Sequence, residues 1–325
     1  MVKPLRKIDI KKVVSLLGTV IMIVSLYFVV MRIIEMRDGI DLTVLANVWV
    51  LIPLLLVVLA ESTAVLFTSE NFRKIVAGIS GINISRPIAI KAYNNANIYK
   101  YIPGGVMLLI GRNQMAIETD ELKHSKVALA TVLEGALWIV SALILSSVFS
   151  LDYVLHYIRQ LEFQYTELIL GAALLAVLLV IFILFRFRHK LFGDTFDIKN
   201  ETKGLRITAL IKRFPVMLVI VSFWGFSFMT TMAILGQPIT FSLGITIAGL
   251  YIMSWLIGFL TPGAPGGLGI REIVLLMFLG ATIYEGLLLS AIVIHRAIQV
   301  VSDLVAFAIA HSYAYKKAHN KQVET

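Results

Sequence analysis

Between two apolar runs, residues 240–260 and 273–283, the chain reads Leu260-Thr-Pro-Gly-Ala-Pro-Gly-Gly-Leu-Gly-Ile-Arg271-Glu272. Proline removes a backbone donor and clashes with a continuing helix. Glycine adds conformational freedom and lets other groups approach the backbone. In a soluble loop such a stretch would be ordinary, but these flanks have the composition of membrane-buried segments. Broken backbone at membrane depth survives only where protein or a wet cavity satisfies its polar groups. In transporters, interrupted helices of this kind often build the substrate site.

The rest of the chain supports the membrane setting. Of its 325 residues 58% are hydrophobic and only 15% charged, against about 25% charged in soluble domains; the mean hydropathy is +0.88. Residues 13–34 and 45–68 are near-continuous apolar runs, and about 20 residues cross a bilayer. Further spans are expected at 127–150, 165–185, 214–235, 240–260 and 286–310. The run 270–283 reads either as a tilted span or as half of a re-entrant hairpin. The expected fold is therefore an all-α polytopic membrane protein with about six to eight transmembrane helices. It forms one membrane domain over 1–325, with the bundle at about 11–312 and a short basic tail at 313–325. Residues 1–34 begin like a signal peptide, but the apolar run is too long and no clear cleavage site follows, so a retained first span is expected.

Several chemistries are excluded. Without cysteine there is no disulfide, thiolate catalysis or Cys-ligated zinc. The six histidines show no metal-ligand spacing, and the glycine-rich stretches match neither a Walker A nor a dinucleotide fingerprint. No metal, cofactor or catalytic residue is expected. The formal charge of +9 reflects membrane topology rather than nucleic-acid binding.

A second interruption lies upstream. The run 101–110 is too short to span and contains Pro103-Gly104-Gly105, followed by Gly111-Arg112. The downstream breaks are Pro262, Gly263, Pro265, Gly266, Gly267 and Gly269, followed by Arg271. Paired Pro/Gly interruptions point to internal repeats, although so short a pattern also arises by chance. Both elements are expected to be re-entrant and to border one wet cavity, because unpaired backbone in hydrocarbon costs several kcal/mol per group.

Charges inside apolar spans are expensive and face a cavity or a partner. They are Glu61, Glu134, Arg271, Glu272, Arg296 and Asp303. Glu134 serves either a helix–helix ion pair or a function. Arg296, Gln299 and Asp303 share one helical face, beside His295, as a polar packing stripe or as a site wall. Arginine offers a permanently charged planar fork suited to phosphate, and helix N-termini attract phosphate, so Arg271 is read as a headgroup ligand. Asn94, Asn97, Tyr101 and Arg112 are candidates for a polar cavity wall; Tyr99 fits an interfacial aromatic belt.

The order Tyr101-Ile-Pro-Gly-Gly, Gly111-Arg112, Glu134, Pro262-Gly-Ala-Pro-Gly-Gly-Leu-Gly-Ile-Arg-Glu272 and Arg296 resembles the membrane domain of lysylphosphatidylglycerol synthases, the multiple peptide resistance factors. The resemblance spans about 11–310; Pro-Gly-Gly-x-Gly-x-Arg-Glu is its most specific part, and the first motif, with Gly105, is looser. It implies a bacterial plasma-membrane protein handling phospholipid, flippase-like, for a phosphatidylglycerol-type or aminoacylated lipid. Full-length members carry a cytosolic domain that transfers lysine from lysyl-tRNA. No such segment follows the last span here, so the expectation is translocation rather than lysyl transfer.

Two alternatives stand beside translocation. One is a phosphatidylglycerol lysyltransferase-type enzyme, with Glu134 or Glu272 as base. The other is a membrane partner of a separate lipid synthase. The expected partners are phospholipid and a separate lipid synthase or glycosyltransferase, with no nucleic acid and with homo-oligomerisation open.

Basic residues set the orientation. Five precede residue 13, eight lie in 69–126, eight in 186–213 and three in the tail, against Arg32, Arg37 and Arg159 on the other side. Positive loops stay cytoplasmic, so both termini should lie inside. Terminal tags should resist an impermeant protease in intact cells; cleavage of either tag would overturn this topology.

Overall fold

The computed structural model describes residues 43–100, 106–160, 207–261, 267 and 269–323. The spans expected at 13–34 and 165–185 lie outside these residues. So do Tyr101, Pro103, Gly104, Gly105, Pro262, Gly263, Pro265 and Gly266.

The described chain is helical throughout: α1 (Val48–Ser80), α2 (Arg86–Tyr99), α3 (Val106–Ile117), α4 (His124–Gln160), α5 (Ile207–Ile211), α6 (Phe214–Ile234), α7 (Phe241–Leu260), α8 (Ile270–Leu279) and α9 (Glu285–Val323). Five of these, α1, α4, α6, α7 and α9, are long and apolar enough to cross a membrane. The protein is thus an all-α, multi-pass membrane protein. Its helices outrun the apolar windows at polar ends. α1 starts on Asn47, whose side chain accepts from the Trp49 amide, and stops on Gly81 in the left-handed region (φ 76°). The expected tail from 313 continues α9 as helix through Val323.

The core is largely apolar, but burial departs from that of a soluble protein at particular residues. α1 buries Glu61, Ser62, Ser69 and Asn71 while exposing Leu55, Leu56, Leu59 and Phe67. Exposed large apolar side chains and buried polar ones are the informative departures from the usual pattern, and hydrocarbon as solvent accounts for both.

The first interruption joins the limbs of a helical hairpin. α2 and α3 run antiparallel, as shown by Gly111 against Ala96, Asn95 bonded to Gln114 and Lys91 paired with Glu118. Limbs of 14 and 12 residues are about 21 and 18 Å long at 1.5 Å per residue. They are shorter than the roughly 30 Å hydrocarbon core, which fits a re-entrant element. The second interruption has a different setting. It joins the full-length α7 to the ten-residue α8, about 15 Å long. α8 doubles back beside α7, with Arg271 against Gly258 and Leu275 and Leu279 in one cluster with Ile247 and Leu250. The 270–283 run is therefore a short helix plus a turn.

Where α4, α6 and α7 meet, Trp138 stacks on Trp224 at 4.8 Å and both approach Trp255. Small residues allow this closeness, since without a hydrophobic drive between helices in lipid, association depends on packing. A Cβ on Gly249 would meet Phe149 Cβ at 2.7 Å, whereas one on Gly135 would meet nothing within 4 Å.

Gly249→Leu should therefore destabilise the detergent-solubilised protein by about 1–3 kcal/mol or more through overpacking, read as a lowered thermal midpoint. Gly135→Ala should leave the midpoint unchanged or raise it slightly, because alanine is the better helix former by about 1 kcal/mol. Equal effects of the two variants would contradict the α4–α7 packing.

Candidate functional site

α9 carries His295, Arg296, Gln299 and Asp303 on its inner side, and each meets a different part of the bundle. His295 reaches α1 and α6. The Arg296 guanidinium lies 4.0 Å from the Glu272 carboxylate of α8. Gln299 donates to the Tyr251 hydroxyl of α7 at 2.7 Å. Asp303, 3% exposed, pairs with Lys100 at 2.8 Å and accepts from the Asn97 amide at 2.6 Å. The shared face expected for Arg296, Gln299 and Asp303 exists, but its members serve different contacts.

Arg271, Glu272 and Arg296 are brought together. With Phe228, Tyr251, Leu275, Ile292, His295 and Gln299 they line a cavity of about 20 Å³, room for about one water. All of these residues come from α6 to α9. Beside it runs a groove of about 410 Å³, walled by Leu289, Ile292, Val293, Ala297, Val300 and Val301 of α9, with Glu272 and Arg296 as its charged lining. The two spaces share Glu272, Ile292 and Arg296, so they meet at the ion pair. Val293 and Val301 are also exposed, so the groove opens to the surface there.

The breaks explain how Arg271 is held. Gly267 takes φ 72° and Gly269 φ 82°, conformations that glycine adopts without steric cost. Added Cβ atoms would meet Arg271 at 2.9 Å from Gly258 and 2.7 Å from Gly267. The two glycines thus form a slot for the arginine stem, whose guanidinium lies 6.0 Å from the Trp255 ring. Gly269 caps α8 without a side-chain bond. The first-turn amides therefore present the positive end of the helix dipole beside Arg271. Among the described residues, Glu272 Oε2 has no hydrogen-bond partner.

Arg112 and Glu134 form a separate unit. Arg112 Nη1 lies 2.6 Å from Glu134 Oε2, and its guanidinium sits over the Phe72 and Tyr93 rings at 4.5 and 4.7 Å. Tyr93 donates to Glu134 Oε1 at 3.3 Å. Glu134 is fully buried and Arg112 nearly so. This caged pair locks α3 to α4 and does not line the cavity. Asn94, expected on a cavity wall, donates within its own helix to the Ile90 carbonyl. Asn97 is engaged by Asp303 instead. Tyr101 lies outside the described residues.

One polar unit was not foreseen as a site. Ser227 donates to Glu61 Oε1 at 2.6 Å, and His295 Nε2 faces the same oxygen at 3.6 Å. The signal available in sequence was a carboxylate within an apolar span and a histidine beside Arg296. Nothing in the spacing joins them, since they lie on different helices.

Glu134→Gln should cost about 3–5 kcal/mol, because it leaves the Arg112 charge buried without its partner. Replacing both, as in Arg112→Met with Glu134→Leu, should recover most of the loss, since apolar replacement of a buried pair is often neutral. Thermal midpoints in detergent decide this; a double variant as unstable as the single would remove the caged-pair account. No protein-family profile and no curated protein sequence matches this chain, so the functional reading rests on this geometry.

Proposed function

We propose that the protein handles an anionic phospholipid, translocating it flippase-like in a bacterial plasma membrane with both termini cytoplasmic. The observation that carries this reading is a pair of spaces bordered by one ion pair. Glu272 and Arg296 line both an apolar surface groove of about 410 Å³ and a small cavity that also bears Arg271. A phospholipid has the same division, with an acyl chain for the groove and a phosphate for the charged lining of Arg296 and Glu272; the cavity of about 20 Å³ must widen to bring the phosphate to Arg271 as well. Arginine's fork suits a phosphate bidentately, and the α8 N-terminus adds the positive end of its dipole. Pockets lined mostly by apolar groups, with a few convergent polar ones, are the usual form of ligand site. The resemblance to the flippase-like membrane domain of lysylphosphatidylglycerol synthases agrees in kind with this division and suggests a phosphatidylglycerol-type or aminoacylated lipid.

Reconstitution into liposomes with leaflet-selective labelling of several lipids tests the reading. The wild-type chain should move anionic phospholipid between leaflets without a second protein. Arg271→Lys and Arg296→Lys keep charge and lose the fork; each should slow movement by about tenfold or more, equivalent to about 1.4 kcal/mol, with normal expression. Gly258→Ala should act in the same direction by displacing the Arg271 stem. Wild-type rates in both lysine variants would remove the arginines from the site. A new lipid product in the same liposomes would favour the transferase reading instead.

A further inference from the structure

Glu61 of α1 and His295 of α9 are 3% and 2% exposed; neither belongs to the caged pair, and His295 borders the arginine cavity. His295 stands edge-on to the Phe228 and Tyr251 rings. Its ring is held from one side: Thr231 Oγ1 lies 3.0 Å from Nδ1. The Thr231 hydroxyl has one proton and two acceptors at 3.0 Å, the Ser227 carbonyl and Nδ1. When the carbonyl takes it, the threonine oxygen accepts from Nδ1–H. That leaves Nε2 with a bare lone pair, 3.6 Å from Glu61 Oε1 and without a hydrogen-bond partner among the described residues. An ionised carboxylate facing that lone pair is acceptor against acceptor. One proton, on the carboxyl or on Nε2, turns the contact into an attraction. A hydrogen-bond partner that fixes the tautomer from the far nitrogen is how proteins set the role of a histidine.

The pair also touches the proposed headgroup site. His295 lines the small cavity together with Arg271, Glu272 and Arg296. A water there would give Nε2 or the carboxyl a path for proton exchange. The groups facing the pair are Lys100 from α2, Tyr251 from α7, Arg271 and Glu272 from α8, and Arg296 and Asp303 from α9; α6 presents the hydroxyls of Ser227 and Thr231. Lys100 is matched by Asp303.

We propose that Glu61 and His295 hold an exchangeable proton whose binding is linked to that of an anion at Arg271 and Arg296. This rests on the headgroup reading given above. An anion placed at the arginines offsets their charge beside His295, so a proton is added to the pair more readily. By reciprocity, a proton on the pair tightens the anion. The step is a protonation only: water supplies the proton, one N–H or O–H bond forms, and the pair gains one positive charge. Intramembrane Glu and His in contact are the groups from which proton relays are built. For a translocator without a nucleotide site, this supplies a coupling ion.

The test uses the full chain in detergent, weakly buffered, with a pH-indicator dye. The probes are dihexanoyl-phosphatidylglycerol and dimethyl phosphate, neither of which titrates between pH 6 and 8. Lipid binding should take up to about one proton per molecule bound, and its Kd should fall as pH falls, by at most about tenfold per unit. Dimethyl phosphate tests the anion site without the chain and should show the same sign at weaker affinity. Glu61→Gln should bind lipid without the pH dependence, and His295→Gln, which also alters the cavity wall, should lose the proton uptake whatever its affinity. If one variant fails to fold, the other and the wild-type uptake still decide. Binding by the wild-type protein with no uptake and no pH dependence overturns the proton site and leaves the headgroup reading standing. Uptake undiminished in the folded variants also overturns it. No binding of either probe at any pH overturns the headgroup reading and this inference together.

Discussion

Asp303 is nearly sealed from the surroundings, and its carboxylate takes an ammonium from Lys100 and an amide from Asn97. An ionised group within a membrane bundle is held only where protein meets it, so this contact fixes the C-terminal end of α2 against α9. Lys100 is the C-cap residue of α2, so the bond anchors that end of the helix. The neighbours of Asp303 on the same helix repeat the arrangement, with Gln299 to α7, Arg296 to α8 and His295 to α1 and α6. One polar face of one helix thereby holds five others in register.

Apolar surface cannot supply that register here. Between helices in lipid, hydrophobic burial gives little preference for one rotation over another, and close packing and polar bonds decide. Glycine contacts bring α4, α6 and α7 together: Gly225 lies against the Ala248 carbonyl and Gly249 against Phe149. The polar contacts select among the rotations that such packing permits.

Hydropathy made the spans legible because it records which residues meet hydrocarbon. The starts of α6, α7 and α9 fall within a residue of the apolar windows. The far ends of α1, α4 and α9 do not, because a helix continues into water wherever capping and side-chain pairs support it. The Pro/Gly interruptions were legible for a different reason, since proline and glycine act on backbone locally. Partner choice was hidden. Arg112 with Glu134, Asn97 with Asp303 and Ser227 with Glu61 depend on helix rotation, and the last two pairs are separated by 206 and 166 residues. Asn94 shows the reverse error: a polar side chain in a promising stretch that only bonds back to its own helix.

The groove along α9 opens at Val293 and Val301, within a helix long and apolar enough to cross a membrane. Under the proposed function, whatever occupies it is drawn from a two-dimensional fluid. Its occupancy then follows mole fraction among neighbouring chains, not concentration in the aqueous phase, and dilution of a vesicle suspension leaves it unchanged. The surrounding bilayer is both solvent and competitor, since every acyl chain present contends for the same wall. Discrimination therefore falls to the far end, where Arg296 and Glu272 meet whatever polar group the chain carries.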